Sequence, residues 1–221
     1  MKIAQFAFNA FQENTYVLSD ETGECIIVDP GNATMRENEI LTRYIDDNGL
    51  KPVMIVNTHA HVDHLAGVSF LKDSYHIPFA LHGEDEFLVR SAPVQGRLYG
   101  FELEGAVPTV DIDLSRQNTV RFGNTELEIF HTPGHSPGHI SLYDKKDKVL
   151  LTGDVLFRGS IGRTDLPGGD YHRLMRSIIG TLIPLGREVK VFSGHGPSTT
   201  IGHELESNPF ITEVIEGEVN F

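Results

Sequence analysis

Short apolar runs alternate with polar punctuation along this chain, and the period of the alternation changes from strand-like to helix-like and back. Residues 2–8, 14–19 and 24–28 read as short strands, with turn chemistry at Asp20-Glu-Thr-Gly23 and Asp29-Pro-Gly31. Residues 34–47 predict a helix in which Ile40, Leu41, Tyr44 and Ile45 share one face and Asn48-Gly49 is the stop. Pro52 to Val56 predicts a buried strand, and Leu65, Val68 and Leu71 then form a helical stripe that starts at His64. Residues 78–82 predict a strand and 83–91 a helix. Residues 92–117, with Gly96, Gly100 and Gly105, show no regular period. From 118 the strands return. Glu126-Leu-Glu-Ile-Phe130 alternates as a half-buried strand does. Residues 139–143 and 148–152 flank a turn at Asp144-Lys-Lys-Asp147. Residues 170–184 carry a helical stripe of Leu174, Ile178 and Leu182, 189–192 give a last strand, and 201–206 a short helix. Strands and helices therefore follow one another twice. This predicts a mixed α/β (α+β) chain with two packed sheets covered by helices, a four-layer αββα sandwich in one domain over residues 1–221.

Composition narrows the function class. Hydrophobic residues make up 39% and charged residues 22%, as in ordinary soluble proteins. No apolar run approaches the ~20 residues of a membrane span. Asn9, Gln12, Glu13 and Asn14 interrupt the N-terminal segment before it acquires the apolar core of a signal peptide. The single cysteine, Cys25, excludes an internal disulfide framework and reads as a structural strand residue. Together these lead us to expect a cytoplasmic protein without a membrane partner. The formal net charge is −13, from 31 acids against 18 bases. With no Lys/Arg cluster, nucleic acid is excluded as a partner, since phosphate binding depends on those side chains.

Candidate chemistry is concentrated in Thr58-His-Ala-His-Val-Asp-His64. His59, His61, Asp63 and His64 are imidazole and carboxylate donors suited to a divalent borderline metal such as zinc. In an extended segment His59 and His61 point the same way and can grip one ion. Asp63 and His64 follow where the chain turns into a helix and can lean toward a second. Three further donors sit where a strand gives way to a Gly- or Pro-marked loop: His135 in Thr132-Pro-Gly-His135, Asp154 in Thr152-Gly-Asp154, and His195 in Ser193-Gly-His195. Five His and two Asp suffice for two metals if one Asp bridges. Two such ions would leave the site net positive inside an acidic protein, which suits an anionic substrate. Gly134-His-Ser-Pro-Gly138 matches the serine-hydrolase elbow, but Pro137 lacks the N–H that the oxyanion hole requires. His131 and His139 read as supporting rather than ligating residues, and Asp29 as a turn or supporting carboxylate. His76, His82, His172 and His203 read as ordinary surface or half-buried residues.

The heptad, Thr132-Pro-Gly-His135, Gly153-Asp154 and Gly194-His195 together resemble the metallo-β-lactamase-fold hydrolase superfamily. Gly159-Ser-Ile-Gly-Arg-Thr-Asp165-Leu-Pro-Gly-Gly169 and the segment Gly194–Gly202 are similar to its short, glyoxalase II-like (hydroxyacylglutathione hydrolase-like) branch. The resemblance covers residues 2 to 210 and implies the same αββα fold. Carried over position by position, it implies that His59, His61 and His135 bind a first metal, that Asp63, His64 and His195 bind a second, and that Asp154 bridges them. Asp63 and Asp154 would then be catalytic as well as ligating. The ions would most readily be zinc, with iron or manganese accepted by the same donors. The implied reaction is hydrolysis of a thioester such as S-2-hydroxyacylglutathione (S-lactoylglutathione) by a metal-bridging hydroxide, with Arg163 contacting a substrate carboxylate. A thiolate leaves easily, whereas a β-lactam amine must be protonated, and we find no dedicated acid beyond Asp63. Only residues 196–221 follow His195, too few for the helical domain of standard glyoxalase II. Two alternatives share much of this ligand set: a mononuclear-iron persulfide dioxygenase, and a lactonase.

Overall fold

The alternation in the first thirty residues becomes an antiparallel meander. Strands β1 (Lys2–Phe8), β2 (Glu13–Ser19) and β3 (Glu24–Val28) pair in chain order. Helix α1 (Met35–Asp47) then crosses over to β4 (Lys51–Val56), which lies parallel to β3. A parallel neighbour requires such a crossover, because no tight turn can connect it. β5 (Phe79–Leu81) and β6 (Ile112–Asp113) add further parallel neighbours, so the sheet runs in order β1 to β6. The computed structural model describes residues 1–100, 103, 106–215 and 217; Gly105 of the irregular segment lies outside them. The chain forms two compact units, Met1–Glu126 and Leu127–Phe221.

In the first unit α1 starts with a capping box, the Thr34 hydroxyl and the Glu37 carboxylate each bonding the other's backbone N–H. Its inward face differs from the expected one. Leu41 and Ile45 are fully buried and Tyr44 packs against the core, but Ile40 is 43% exposed. Asn38 is buried instead and accepts a hydrogen bond from the Asn32 amide at 2.6 Å. A paired amide can occupy a position that a pattern of apolar residues assigns elsewhere. The stripe after His64 is also two helices rather than one, α2 (Val62–Leu65) and α3 (Val68–Tyr75). The break is at Gly67, whose N–H bonds Pro30 O at 2.7 Å. A Cβ there would fall 2.0 Å from Asn32 Oδ1, so only glycine admits the β3–α1 loop. α4 (Glu86–Leu98) follows a 3₁₀ turn over Gly83–Asp85 and runs seven residues past the expected end at 91. β7 (Thr119–Phe122) leads into a turn whose Asn124 N–H bonds Asp20 at 2.7 Å. The core joins Val17, Cys25, Ile27, Leu41, Ile55 and Phe79. Burial pushes the Cys25 thiol up to about 12, as expected of a structural cysteine.

The second unit is built on β8 (Thr125–His131, in this unit from Leu127), β9 (Ile140–Asp144), β10 (Val149–Gly153), β13 (Lys190–Ser193) and β14 (Thr199–Thr200), ordered β14–β13–β10–β9–β8. β10 and β13 are parallel; the other pairs are antiparallel. A small hairpin of β11 (Leu156–Phe157) and β12 (Ser160–Ile161) lies between β10 and helix α5 (Tyr171–Ser177). The stripe of Leu174, Ile178 and Leu182 is fully buried as expected, though the helix passes into a π turn over Ile178–Leu182. α6 (Ile201–Ser207) is followed by α7 (Pro209–Ile215), which the apolar pattern did not announce. Among the described residues no helix is long and apolar enough to cross a membrane.

Candidate metal centre

The heptad leaves the C-terminal end of β4, where a parallel sheet opens its loops. Asn57, which precedes it, is fully buried and ties both of its ends: the Asn57 amide donates to His64 O at 2.7 Å and to His59 O at 3.3 Å. His61 stands at the N-cap position of α2, and Asp63 and His64 occupy the helix's first turn, as the spacing predicts. The rings converge: His59 and His61 are 4.8 Å apart and His59 and His64 4.1 Å apart between centroids. His59 and His64 are fully buried and His61 nearly so, while Asp63 is half-buried.

A second layer of side chains sets the ring nitrogens. Asp29 stands at the end of β3 with φ of 49°, a left-handed conformation uncommon for a residue with a side chain. Its carboxylate accepts the Thr58 N–H at 2.7 Å and the Thr58 hydroxyl at 2.6 Å. That hydroxyl has a single proton, given to Asp29. Thr58 Oγ1 therefore accepts from His59 Nδ1 at 3.1 Å, which leaves His59 Nε2 as the lone-pair atom. Asp29 also lies 3.3 Å from His64 Nδ1, and its donor atom lies within 4.8 Å of those of His59 and His64. With both oxygens serving Thr58, Asp29 supports the imidazoles, which is the role expected of it. Asn9 holds Asp63 by its backbone, donating to Asp63 O at 3.0 Å. Glu13, in β2, is fully buried 3.8 Å from His64 Nδ1. Burial pushes its carboxyl well above the ordinary range, against the pull of His64. Asn9, Glu13 and Asn57 carry no motif signal; each is an ordinary polar residue beside a strand end.

In the second unit the parallel pairing of β10 and β13 brings two donors together. Gly194 N–H bonds Gly153 O at 2.8 Å, so the residues that follow, Asp154 and His195, emerge side by side. His195 Nε2 lies 3.5 Å from Asp154 Oδ2. The β8–β9 loop brings His135 to the same oxygen, its Nε2 also at 3.5 Å. His135 Nδ1 faces Arg163 O at 2.8 Å; a carbonyl only accepts, so Nδ1 carries the proton and Nε2 the lone pair. His139 is a supporting residue, as expected: Thr132 Oγ1 meets its Nδ1 at 3.1 Å, and its Nε2 accepts the Asp154 N–H at 3.0 Å. The close fit is visible at Gly134, with φ of 137°, where a Cβ would fall 2.2 Å from the Leu174 nitrogen of α5. Residues 132–139 connect two strands of a hairpin, so the serine-elbow context is absent.

Arg163 contributes its carbonyl to His135, while its guanidinium forms two 2.7 Å hydrogen bonds to Asp165. That pairing, mainly through the hydrogen bond, holds the Asp165 carboxyl down at about 2. The remaining histidines are peripheral. His76, His131, His172 and His203 are exposed, and His82, buried more than expected, caps the turn at Gly83 through Nδ1.

Each unit thus presents imidazole and carboxylate donors, most of them buried, with the tautomers of His59 and His135 fixed from behind. This donor chemistry fits divalent zinc, iron or manganese, and defines a metal-ligating protein of mixed α/β fold. The chain belongs to the metallo-β-lactamase superfamily, whose sequence pattern it matches over residues 8–195. It is 36% identical over 218 residues to the hydroxyacylglutathione hydrolase GloC of Haemophilus influenzae, covering 96% of this chain and 98% of that protein. It resembles the crystal structure of BLEG-1 B3 metallo-β-lactamase with a TM-score of 0.88 and 39% identity, covering 96% of this chain and all of that one. The structure of TTHA1623 in a di-iron-bound form gives a TM-score of 0.84 and 36% identity over 94% of this chain and 99% of that one. The superfamily and these relatives make the chain a member of a group of metal-dependent hydrolases.

Proposed function

We propose that this chain is a dinuclear metallohydrolase that cleaves anionic thioesters of the S-2-hydroxyacylglutathione type. His59, His61 and His135 would hold one divalent ion, Asp63, His64 and His195 the other, and Asp154 both. The observation that carries the reading is the shared carboxylate oxygen: His135 and His195, assigned to different ions, both face Asp154 Oδ2 at 3.5 Å, as a bridging ligand demands. The full-length likeness to GloC supports the substrate class, and the di-iron form of TTHA1623 supports a pair of ions. Bound ions of this kind supply Lewis acidity and a water of lowered pKa. The chain's own residues prepare that chemistry. Thr58 and the Arg163 carbonyl keep Nε2 of His59 and His135 available, and His139 fixes the backbone of Asp154. A thiolate leaving group relieves the site of the need for a strong acid. Arg163 would meet a substrate carboxylate by leaving Asp165, an exposed pair of the kind worth little to stability.

The likeness to BLEG-1 supports a second reading, hydrolysis of the β-lactam ring. Metal analysis of purified protein, with S-lactoylglutathione turnover before and after chelation, tests the first. Two ions per chain and thiol release that stops on chelation and returns with metal are expected. No retained ion, or no thiol release by the loaded protein, overturns it. A β-lactam opened faster than the thioester favours the second reading. One iron per chain with oxygen uptake on a persulfide favours a dioxygenase.

A further inference from the structure

The hairpin of β11 and β12 carries the chain from Asp154 to Arg163, and it is too short to hold itself. Its strands make two pairs, Leu156 with Ile161 and Phe157 with Ser160. An isolated two-stranded hairpin is marginal in water even at greater length. The turn, Arg158-Gly159, is exposed, and Gly159 takes a left-handed φ of 71°. Two side chains from α6 and its C-terminal end bond the backbone of this tip. Glu204 Oε2 accepts the Gly159 N–H at 2.8 Å, and the Asn208 amide donates to Ser160 O at 3.0 Å. The Asn208 amide also donates to Glu204 Oε2 at 2.8 Å, and Glu204 Oε1 accepts the Thr199 hydroxyl at 2.5 Å. Glu204 and Asn208 are both fully buried, a position that polar side chains hold only when paired in this way. β12 ends at Ile161, and the next two residues pack against candidate ligands. Gly162 N–H bonds Val155 O at 3.1 Å, and a Cβ on Gly162 would fall 1.9 Å from Asp154 O. Arg163 O lies 2.8 Å from His135 Nδ1.

We propose that Glu204, with Asn208, is a positioning residue for Arg163. It clamps the tip of the β11–β12 hairpin, so that Gly162 and Arg163 keep their register against Asp154. That register sets the place from which the Arg163 guanidinium meets an anionic thioester. The inference rests on the thioester reading above and deepens it, by naming what holds the substrate-binding arginine. The clamp needs an acceptor at 204, not a charge. A glutamine fits the same frame: its carbonyl takes the place of Oε2 and accepts from Gly159 and Asn208, while its amide donates to Thr199 Oγ1. An alanine removes the acceptor and frees the hairpin tip.

The test compares Glu204→Ala and Glu204→Gln with wild type in two readouts. KM and kcat for S-lactoylglutathione are measured on the zinc-loaded protein, and amide hydrogen exchange is followed by NMR on the metal-free protein. In Glu204→Ala, KM is expected to rise roughly tenfold with kcat within about threefold, since a binding contact is lost from ground and transition states alike. Glu204→Gln should return KM to within about twofold of wild type. In the metal-free Glu204→Ala protein Gly159 and Gly162 should exchange at least ~10-fold faster, while amides of the central strands β10 and β13 keep their rates. An unchanged KM overturns the proposal, as does faster exchange at Gly159 without Gly162. Faster exchange shared by β10 and β13 also overturns it, because that is a general loss of stability, and so does a glutamine variant as impaired as alanine. If Glu204→Ala does not fold, exchange in the wild type decides: Gly162 protected as well as Gly159 supports the clamp, and Gly162 exchanging freely overturns it. Wild type that releases no thiol defeats the thioester reading, and the exchange rates then judge the clamp by themselves. Thioester turnover by wild type with an unchanged KM in Glu204→Ala defeats Glu204 alone.

Discussion

At the scale of single residues, a polar side chain beside the candidate ligands matters as much as those residues do. Asn57 donates to the carbonyls of His59 and His64, and so closes the heptad into a loop that presents three rings at once. Asn57→Ala removes a buried donor from two carbonyls at a fully buried position. The expected cost is about 2 kcal/mol, the scale for stranding buried backbone groups. Urea unfolding of the metal-free protein measures it, and zinc retention should weaken in parallel. A change under ~0.5 kcal/mol would mean that the heptad holds its own shape. The candidate donors stood out in the sequence because clustered histidines have few other uses. Asn57 and Glu13 were not, because a lone Asn or Glu at a strand end is what any polar turn contains. What sets them apart is burial, and burial depends on which strands become neighbours.

At the scale of elements, the strand and helix order was legible from periodicity, and the departures have local causes. The α1 face turned because Asn38 found a partner in Asn32. The stripe after His64 broke because the β3–α1 loop occupies the space at Gly67. Both depend on a contact with a loop that no period encodes. The turn between β2 and β3 illustrates the same limit. Its residues announced a turn, but not that Asp20 would reach 104 residues ahead to Asn124. Burial pushes the Asp20 carboxyl up, but hydrogen bonds from the Thr22 hydroxyl and N–H, the Asn124 N–H and the Thr125 hydroxyl outweigh it and hold it at about 2. Because the folded value lies below the ordinary 3.8 of an aspartate, the stabilisation is full above about pH 4 and is lost as pH falls through 2. Solvent at the turn screens the interaction, so Asp20→Asn should cost about 1 kcal/mol at pH 7. Denaturant midpoints of wild type and variant should converge as the pH is lowered from 4 toward 2. A gap that persists at the acid end would place its origin outside the carboxylate charge.

At the scale of the whole molecule, the proposed ions tie stability to occupancy. The assigned ligands lie at residues 59–64, 135, 154 and 195, so each ion would join the heptad to donors at least 70 residues further along the chain. An unfolded chain does not hold those donors together, and the free energy of binding then becomes free energy of folding. At free metal about 100-fold above the dissociation constant, each ion contributes ~2.7 kcal/mol, and two contribute ~5 kcal/mol. For a chain of this size that corresponds to a midpoint roughly 10–20 °C higher. Chelation should lower the thermal midpoint by that amount, and added zinc should restore it. The pattern among variants tests the bridge. Asp154→Asn removes the negative charge that both ions would share, so it should melt like chelated wild type and respond little to zinc. His64→Ala removes a donor to one ion and should keep about half of the zinc-dependent rise. If Asp154→Asn keeps as much of the rise as His64→Ala, Asp154 serves a single ion and the bridged arrangement fails. If chelation leaves the wild-type midpoint unchanged, the donors carry no ion that matters to the fold, and the buried imidazoles must be explained by hydrogen bonding alone.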